Sequence, residues 1–178
     1  MAVLVIDMLN DFVTGQLGSE RARAIVPAVA ELLDAARLHG VPVIFCNDSH
    51  ESGDSELNFW GEHAMTGSEG AMVIPDLKLS ATDYIVPKHH FSGFFATALG
   101  GILGTLGVDT VIVTGIYANI CVLHTVADAY QSGYRVVVAS DAVNAMTEND
   151  YKVSLEYMKS TYGATVLTNA EIIGSFPD

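Results

Sequence analysis

Residues 110–130 read TVIVTGIYANICVLHTVADAY. The run 110–114 is apolar and β-branched, Gly115 and a short connector follow, and 120–132 is helix-like. A buried strand that feeds a helix is one βα unit of a parallel sheet. It places Cys121 near a helix N-terminus, at the C-terminal end of the strand. Unpaired backbone N–H groups and the helix dipole favour a thiolate there, and strand ends are where open α/β sheets carry their chemistry. Cys121 is thus a candidate nucleophile. The alternative is a small buried hydrophobe, because free cysteine is among the most buried residue types.

The same alternation extends in both directions. Residues 2–6 form a continuous apolar run, the pattern of a strand buried on both faces. Residues 20–39 have helical periodicity, with Ile25, Val29, Leu32, Leu33 and Ala36 on one face and Gly40 at the end. Strands are expected at 41–45, 84–86, 135–139 and 164–167, and helices at 94–106 and 149–161. Six strands with intervening helices imply an α/β fold, a three-layer αβα sandwich with a six-stranded parallel sheet. No linker, repeat or low-complexity tract divides residues 1–178, which read as one domain. The exception to the short connections is 47–83, long and polar, and a connection of that length in a compact domain is usually functional.

Composition narrows the function classes. Half of the 178 residues are apolar, 16% are charged, and 8 Lys and Arg face 21 Asp and Glu for a net charge of −13. A nucleic-acid or acidic-membrane surface is not expected on such a chain. The apolar start is too short for a signal peptide and meets Asp7 at once. No apolar run approaches the roughly 20 residues that span a bilayer. Cys46 and Cys121 lack the spacing of a disulfide framework or a zinc knuckle. These readings point to the cytoplasm, with both thiols reduced.

Three reactive side chains fall at strand ends: Asp7 after the first strand, Lys88 after the third and Cys121 after the fourth. In a parallel sheet these ends share one edge, so the three can converge. Asp7 would take the thiol proton, and Lys88 would balance a carboxylate beside a thiol. Taken singly, Asp7 also reads as a strand-end turn residue and Lys88 as a surface lysine. In the long connection, Asp48 and His50 form a D-x-H unit and His63 ends NFWGEH (58–63). Two imidazoles and a carboxylate suit a divalent metal. A fourth ligand has no motif behind it, and Glu56 is the candidate. His89 and His90 have no assigned role, and Cys46 reads as packing.

VIDMLNDF (5–12), PKHHFSGF (87–94) and GIYANIC (115–121), in that order, resemble the three signature blocks of the isochorismatase-like cysteine hydrolases, a superfamily with a Rossmann-like sheet that includes nicotinamidases and N-carbamoylsarcosine amidases. The resemblance implies a catalytic triad of Asp7, Lys88 and Cys121. It also implies a cis Ile116–Tyr117 bond and an oxyanion hole made by the N–H groups of Tyr117 and Cys121. Asp48, His50, Trp60, His63 and TGSEGA (66–71) resemble the metal segment of nicotinamidases. That likeness implies bound zinc, or else iron or manganese, with no organic cofactor. Phe12, Trp60 and Phe91 match aromatic positions of the nicotinamidase pocket, where a flat ring would fit; ordinary core packing is the other reading.

The expected activity is cysteine-dependent cleavage of a small non-peptide C–N bond with release of ammonia. A nicotinamide-like carboxamide ranks first and an N-carbamoyl amine second. A vinyl-ether hydrolase of the isochorismatase type and an inactive binding member of the fold are the remoter alternatives. The partners implied are a small amide or ureido substrate and, from family habit and a mean hydropathy of +0.35, further copies of the chain in a dimer or tetramer.

Overall fold

The computed structural model describes residues 1–177. Six strands form one all-parallel sheet: β1 (Ala2–Ile6), β2 (Val43–Asp48), β3 (Tyr84–Lys88), β4 (Thr110–Gly115), β5 (Arg135–Val143) and β6 (Thr165–Leu167). Their order across the sheet is β3-β2-β1-β4-β5-β6. The chain winds outward from β1 to β3, then returns to β4 on the other side of β1. The crevice at the C-terminal ends of β1 and β4 is therefore the topological switch point, where open α/β sheets bind ligands.

The strands are buried on both faces because helices cover both. All five residues of β1 are fully buried, and its side chains alternate between two cores. Val3 and Val5 pack in the cluster that holds Val29, Leu32 and Leu33 of α3 (Val26–Leu38) and Ile172 of α8 (Asn169–Ile173). Leu4 and Ile6 pack in the cluster of Leu99 and Leu103 from α5 (Leu99–Thr105), Val122 and Val126 from α6 (Cys121–Gln131), and Met158 from α7 (Glu148–Tyr162). The three-layer, single-domain expectation holds.

The element bounds differ from the sequence pattern at instructive places. The single helix expected over 20–39 is two, α2 (Glu20–Ala24) and α3, separated at Ile25. Pro27 has no N–H to give to the Arg23 carbonyl four residues back, so the ladder breaks there. The helix expected from 94 begins only at Leu99. Before it, the Ser92 hydroxyl accepts the Phe94 N–H and the Thr97 hydroxyl both bonds the Gly93 carbonyl and accepts the Leu99 N–H. Such local side-chain bonds compete with the helical ladder. Strands β2, β3 and β5 run further than their apolar cores, so Asp48 and Lys88 are the last residues of strands. Pro87 is tolerated because β3 is an edge strand. Helix α8 went unforeseen, although Thr168 and Glu171 form a capping box there. The long connection contains one four-residue helix, α4 (Leu57–Trp60), and near the start of the chain α1 (Asn10–Val13) is as short.

Register decides which side chains meet. Ile6 pairs with Cys46 on one side and Gly115 on the other, and Asp48 stands opposite Lys88. Gly115 has φ +106°, and a Cβ there would strike the Ile6 backbone. Only glycine lets β4 end this close to β1, which brings the segment leading to Cys121 beside Asp7.

Candidate active site

Asp7 is the first residue beyond β1 and turns the chain with φ 51°, a left-handed conformation that aspartate tolerates better than most side chains. Its carboxylate points along the sheet edge. Lys88 Nζ lies 2.8 Å from Asp7 Oδ2 and also ion-pairs with Asp48 Oδ1. The Asp48 N–H donates to Asp7 Oδ1 at 2.8 Å. Cys121 opens α6, and its sulfur forms one group with the Asp7 and Asp48 carboxylates, the atoms all within 4.8 Å of one another. The three side chains expected to converge do so, and Asp48 joins them. Lys88 is therefore not the private counterion of Asp7. It is fully buried between two carboxylates, and this cluster carries one net negative charge.

Burial and that excess together set the protonation states. Burial first, and then the Asp48 charge, push Asp7 up to about 6 against the pull of Lys88. Burial opposes the charge on Asp48 too, but Lys88 and then His50 hold it below the usual carboxylate range. Burial likewise works against a charged Lys88, yet Asp48 and Asp7 keep it well above the ordinary lysine value. Cys121 departs from the expectation drawn from its helix N-terminus. Burial drives its thiol well above the ordinary value, Lys88 opposes, and the two carboxylates add to the rise. The resting sulfur is held as a thiol, because burial, with the two carboxylates added to it, outweighs Lys88.

The peptide bond Ile116–Tyr117 is cis. In the segment that follows, the Ala118 N–H bonds the Asn144 carbonyl at 2.7 Å, and those of Ile120 and Val122 bond the Tyr117 carbonyl. The N–H groups of Tyr117 and Cys121 have no backbone acceptor among the described residues. The Tyr117 hydroxyl donates to the Leu17 carbonyl at 2.8 Å, which ties this segment to the loop after α1.

Asp7 and Cys121 open into a small pocket, and Phe12, Trp60 and Phe91 all line it. Tyr117 lines it as well, as do Leu17 and Met146, which no motif singled out. Cys46 lies apart as fully buried packing, its thiol pushed up to about 12 by burial.

Asp48, His50, Glu56 and His63 place one ligand atom each within 4.8 Å of one another. His50 Nδ1 is 2.9 Å from Asp54 Oδ2, and His63 Nδ1 is 2.8 Å from the Gly61 carbonyl. Both rings thus spend Nδ1 on the protein and keep Nε2 for the cluster. His50 Nε2 is buried without a hydrogen-bond partner and lies 3.6 Å from Asp48 Oδ2. Burial disfavours a charged His50, but Asp48, then Asp54 and Glu56, push it up to about 9. An orphaned imidazole nitrogen inside a surplus of carboxylates fits a divalent cation. Glu56, which had no motif behind it, supplies the second carboxylate of the group.

An open parallel sheet with a thiol, a carboxylate and an ammonium at its switch point defines an α/β enzyme-like centre. The isochorismatase domain model matches residues 1–171, and the chain belongs to that family. It is similar to the structure of N-carbamoylsarcosine amidase from Thermoplasma acidophilum, with 41% identity, 94% of this chain and 95% of that one covered, and a TM-score of 0.90. It is also similar to the zinc complex of pyrazinamidase from Pyrococcus horikoshii, at 28% identity over 94% of this chain and 98% of that one, with a TM-score of 0.87. Two Arabidopsis thaliana proteins, nicotinamidase 3 and a probable inactive nicotinamidase, are each 31% identical. They cover 96% and 89% of this chain and 85% and 88% of their own lengths.

Proposed function

We propose that the protein is a cysteine-dependent amidohydrolase that releases ammonia from a small, neutral carboxamide on a flat ring, of the nicotinamide type. The observation that carries this reading is the pocket's composition: a thiol and a carboxylate at one end, aromatic walls from Phe12, Trp60, Phe91 and Tyr117, and no Lys or Arg among the lining residues. Flat aromatic walls suit a planar heterocycle. The carboxylate of an N-carbamoyl amino acid would find no cationic side chain there. That second substrate class still has an observation in its favour, the 41% identity with N-carbamoylsarcosine amidase.

In the proposed reaction the ionised Asp7 takes the Cys121 proton as the sulfur attacks the amide carbon. The N–H groups of Tyr117 and Cys121 receive the oxyanion. Asp7 passes its proton to the leaving nitrogen, the C–N bond breaks, and ammonia departs from a thioester. Asp7 then takes a proton from water as its oxygen adds to the thioester carbon. Collapse frees the carboxylic acid and returns the proton to sulfur. Lys88 keeps a positive charge beside Asp7 throughout. A divalent ion held by Asp48, His50 and His63 with Glu56, zinc first and iron or manganese as alternatives, would supply a Lewis-acidic anchor for a ring nitrogen or a water.

The deciding experiment measures ammonia release from nicotinamide, pyrazinamide and N-carbamoylsarcosine, before and after chelation. The carboxamides are expected to turn over, to slow on chelation and to recover with added metal. Purified protein should hold close to one metal ion per chain, and His50→Ala should lose it. Full activity of metal-free protein on N-carbamoylsarcosine, with none on the carboxamides, would overturn the substrate ranking.

The pH profile tests the base. Asp7 must be ionised to accept a proton, and its pKa is raised to about 6. The acid limb of kcat/KM, which reports groups of the free enzyme, is therefore expected near pH 6, with activity lost as the pH falls through it. Asp7→Asn should cost at least about 10²-fold in rate. A limb unmoved from the ordinary carboxylate range near pH 4, or an active Asn variant, would remove Asp7 from this role.

A further inference from the structure

We propose that Asp54 is a positioning residue for the candidate metal site, fixing the His50 ring so that Nε2 is the free ligand atom. This rests on the metal reading above. Three donors converge on one oxygen of Asp54: His50 Nδ1 at 2.9 Å, His89 Nδ1 at 2.9 Å and the Glu51 N–H at 3.0 Å. An ionised carboxylate only accepts hydrogen bonds, so the proton of the bonded His50 nitrogen must sit on Nδ1. In the neutral ring that a metal ligand requires, the lone pair is then on Nε2, the atom that faces Asp48 and Glu56 and has no other partner. A carboxylate behind a histidine ligand also makes the ring a better donor.

His89, a residue without a motif, gains a part. It directly follows Lys88 at the end of β3 and bonds the same Asp54 oxygen as His50. Asp54 also accepts the Leu57 N–H on its backbone carbonyl at 3.3 Å. It therefore anchors the entry to α4, beside Glu56 and Trp60. One carboxylate thus couples the end of β3, the buried imidazole and the Glu51 backbone. With the Asp54 carboxylate removed, the His50 proton is free to move to Nε2 and block the ligand position.

The test uses zinc alone as the probe. The zinc dissociation constant of the metal-depleted full chain is measured by competition with a chromophoric chelator, for wild type, Asp54→Ala, Asp54→Asn and His89→Ala. Asp54→Ala is expected to bind about 10–100-fold more weakly, the usual effect of losing such a partner. Asp54→Asn should fall between, because its amide oxygen still accepts the Nδ1 proton. His89→Ala should lose less than either. In zinc-loaded wild type, nitrogen-15 spectra of the histidines should place a slowly exchanging proton on His50 Nδ1, which a merely structural Asp54 would not require. Zinc binding by Asp54→Ala equal to wild type, or a metal-bound Nδ1 in the spectra, overturns the proposal while leaving the metal site standing. Wild type that binds no zinc overturns the metal reading and the proposal with it. If Asp54→Ala does not fold, Asp54→Asn and the wild-type spectra decide.

Discussion

Cys121→Ala is expected to reduce turnover by about 10⁴-fold or more, the scale on which a removed nucleophile acts, with the fold unchanged. The substitution removes one sulfur atom from a site that is 7% exposed and makes no new cavity of consequence. A large loss of rate would therefore be chemical rather than structural. Matching circular dichroism and melting curves would establish that the variant is folded. Iodoacetamide provides a second measurement. It should modify Cys121, which lines the pocket, before Cys46, which is fully buried with its thiol pushed up to about 12. Retention of more than a tenth of wild-type activity, or first labelling at Cys46, would return Cys121 to the status of a packed hydrophobe.

Lys88→Met carries the second large effect, and it acts on stability as well as rate. Lys88 is fully buried and ion-paired with both Asp7 and Asp48. Methionine keeps most of the volume but leaves two buried carboxylates facing each other without a cation. Removing one partner of a buried ion pair costs about 3–5 kcal/mol. The deficit must depend on pH in a definite sense. Without Lys88 both carboxylates are raised above their unfolded values, so the folded state binds more protons and loses stability as the pH rises. The deficit is expected to be largest at pH 8 and to shrink toward pH 5, as read by urea unfolding at the two values. Activity should fall with it, because a protonated Asp7 cannot accept the thiol proton. A variant as stable as wild type at pH 8, or one with wild-type turnover, would show that the buried ammonium is dispensable.

The cysteine reading shows how far local pattern reaches. The thiol's place at a strand-to-helix junction followed from one run of apolar residues, one glycine and one helical period. The helix end alone then argued for a thiolate, and the folded site argues for a thiol. The difference lies first in burial and then in the charges of Asp7 and Asp48, 114 and 73 positions away in the chain, which the sheet register sets beside the sulfur. Glu56 and His89 teach the same lesson. Neither sits in a spacing pattern, and each acquires a partner only when the connection between β2 and β3 (49–83) folds back over the strand ends.

What this sequence determined by itself was the periodic part: six apolar strands, the amphipathic helices between them, and the placement of Asp7, Lys88 and Cys121 at ends that a parallel sheet must bring to one edge. Those properties depend on neighbours one to four residues away, and backbone geometry enforces them wherever the pattern occurs. Tertiary structure alone decided that Lys88 is shared with Asp48, that burial holds the resting sulfur as a thiol, that Glu56 lies within reach of Asp48, His50 and His63, and that Asp54 stands behind His50. These depend on burial and on distances of a few ångströms between residues far apart in sequence. Electrostatic energies at such distances change severalfold as water is excluded, and the exclusion is a property of the packed molecule.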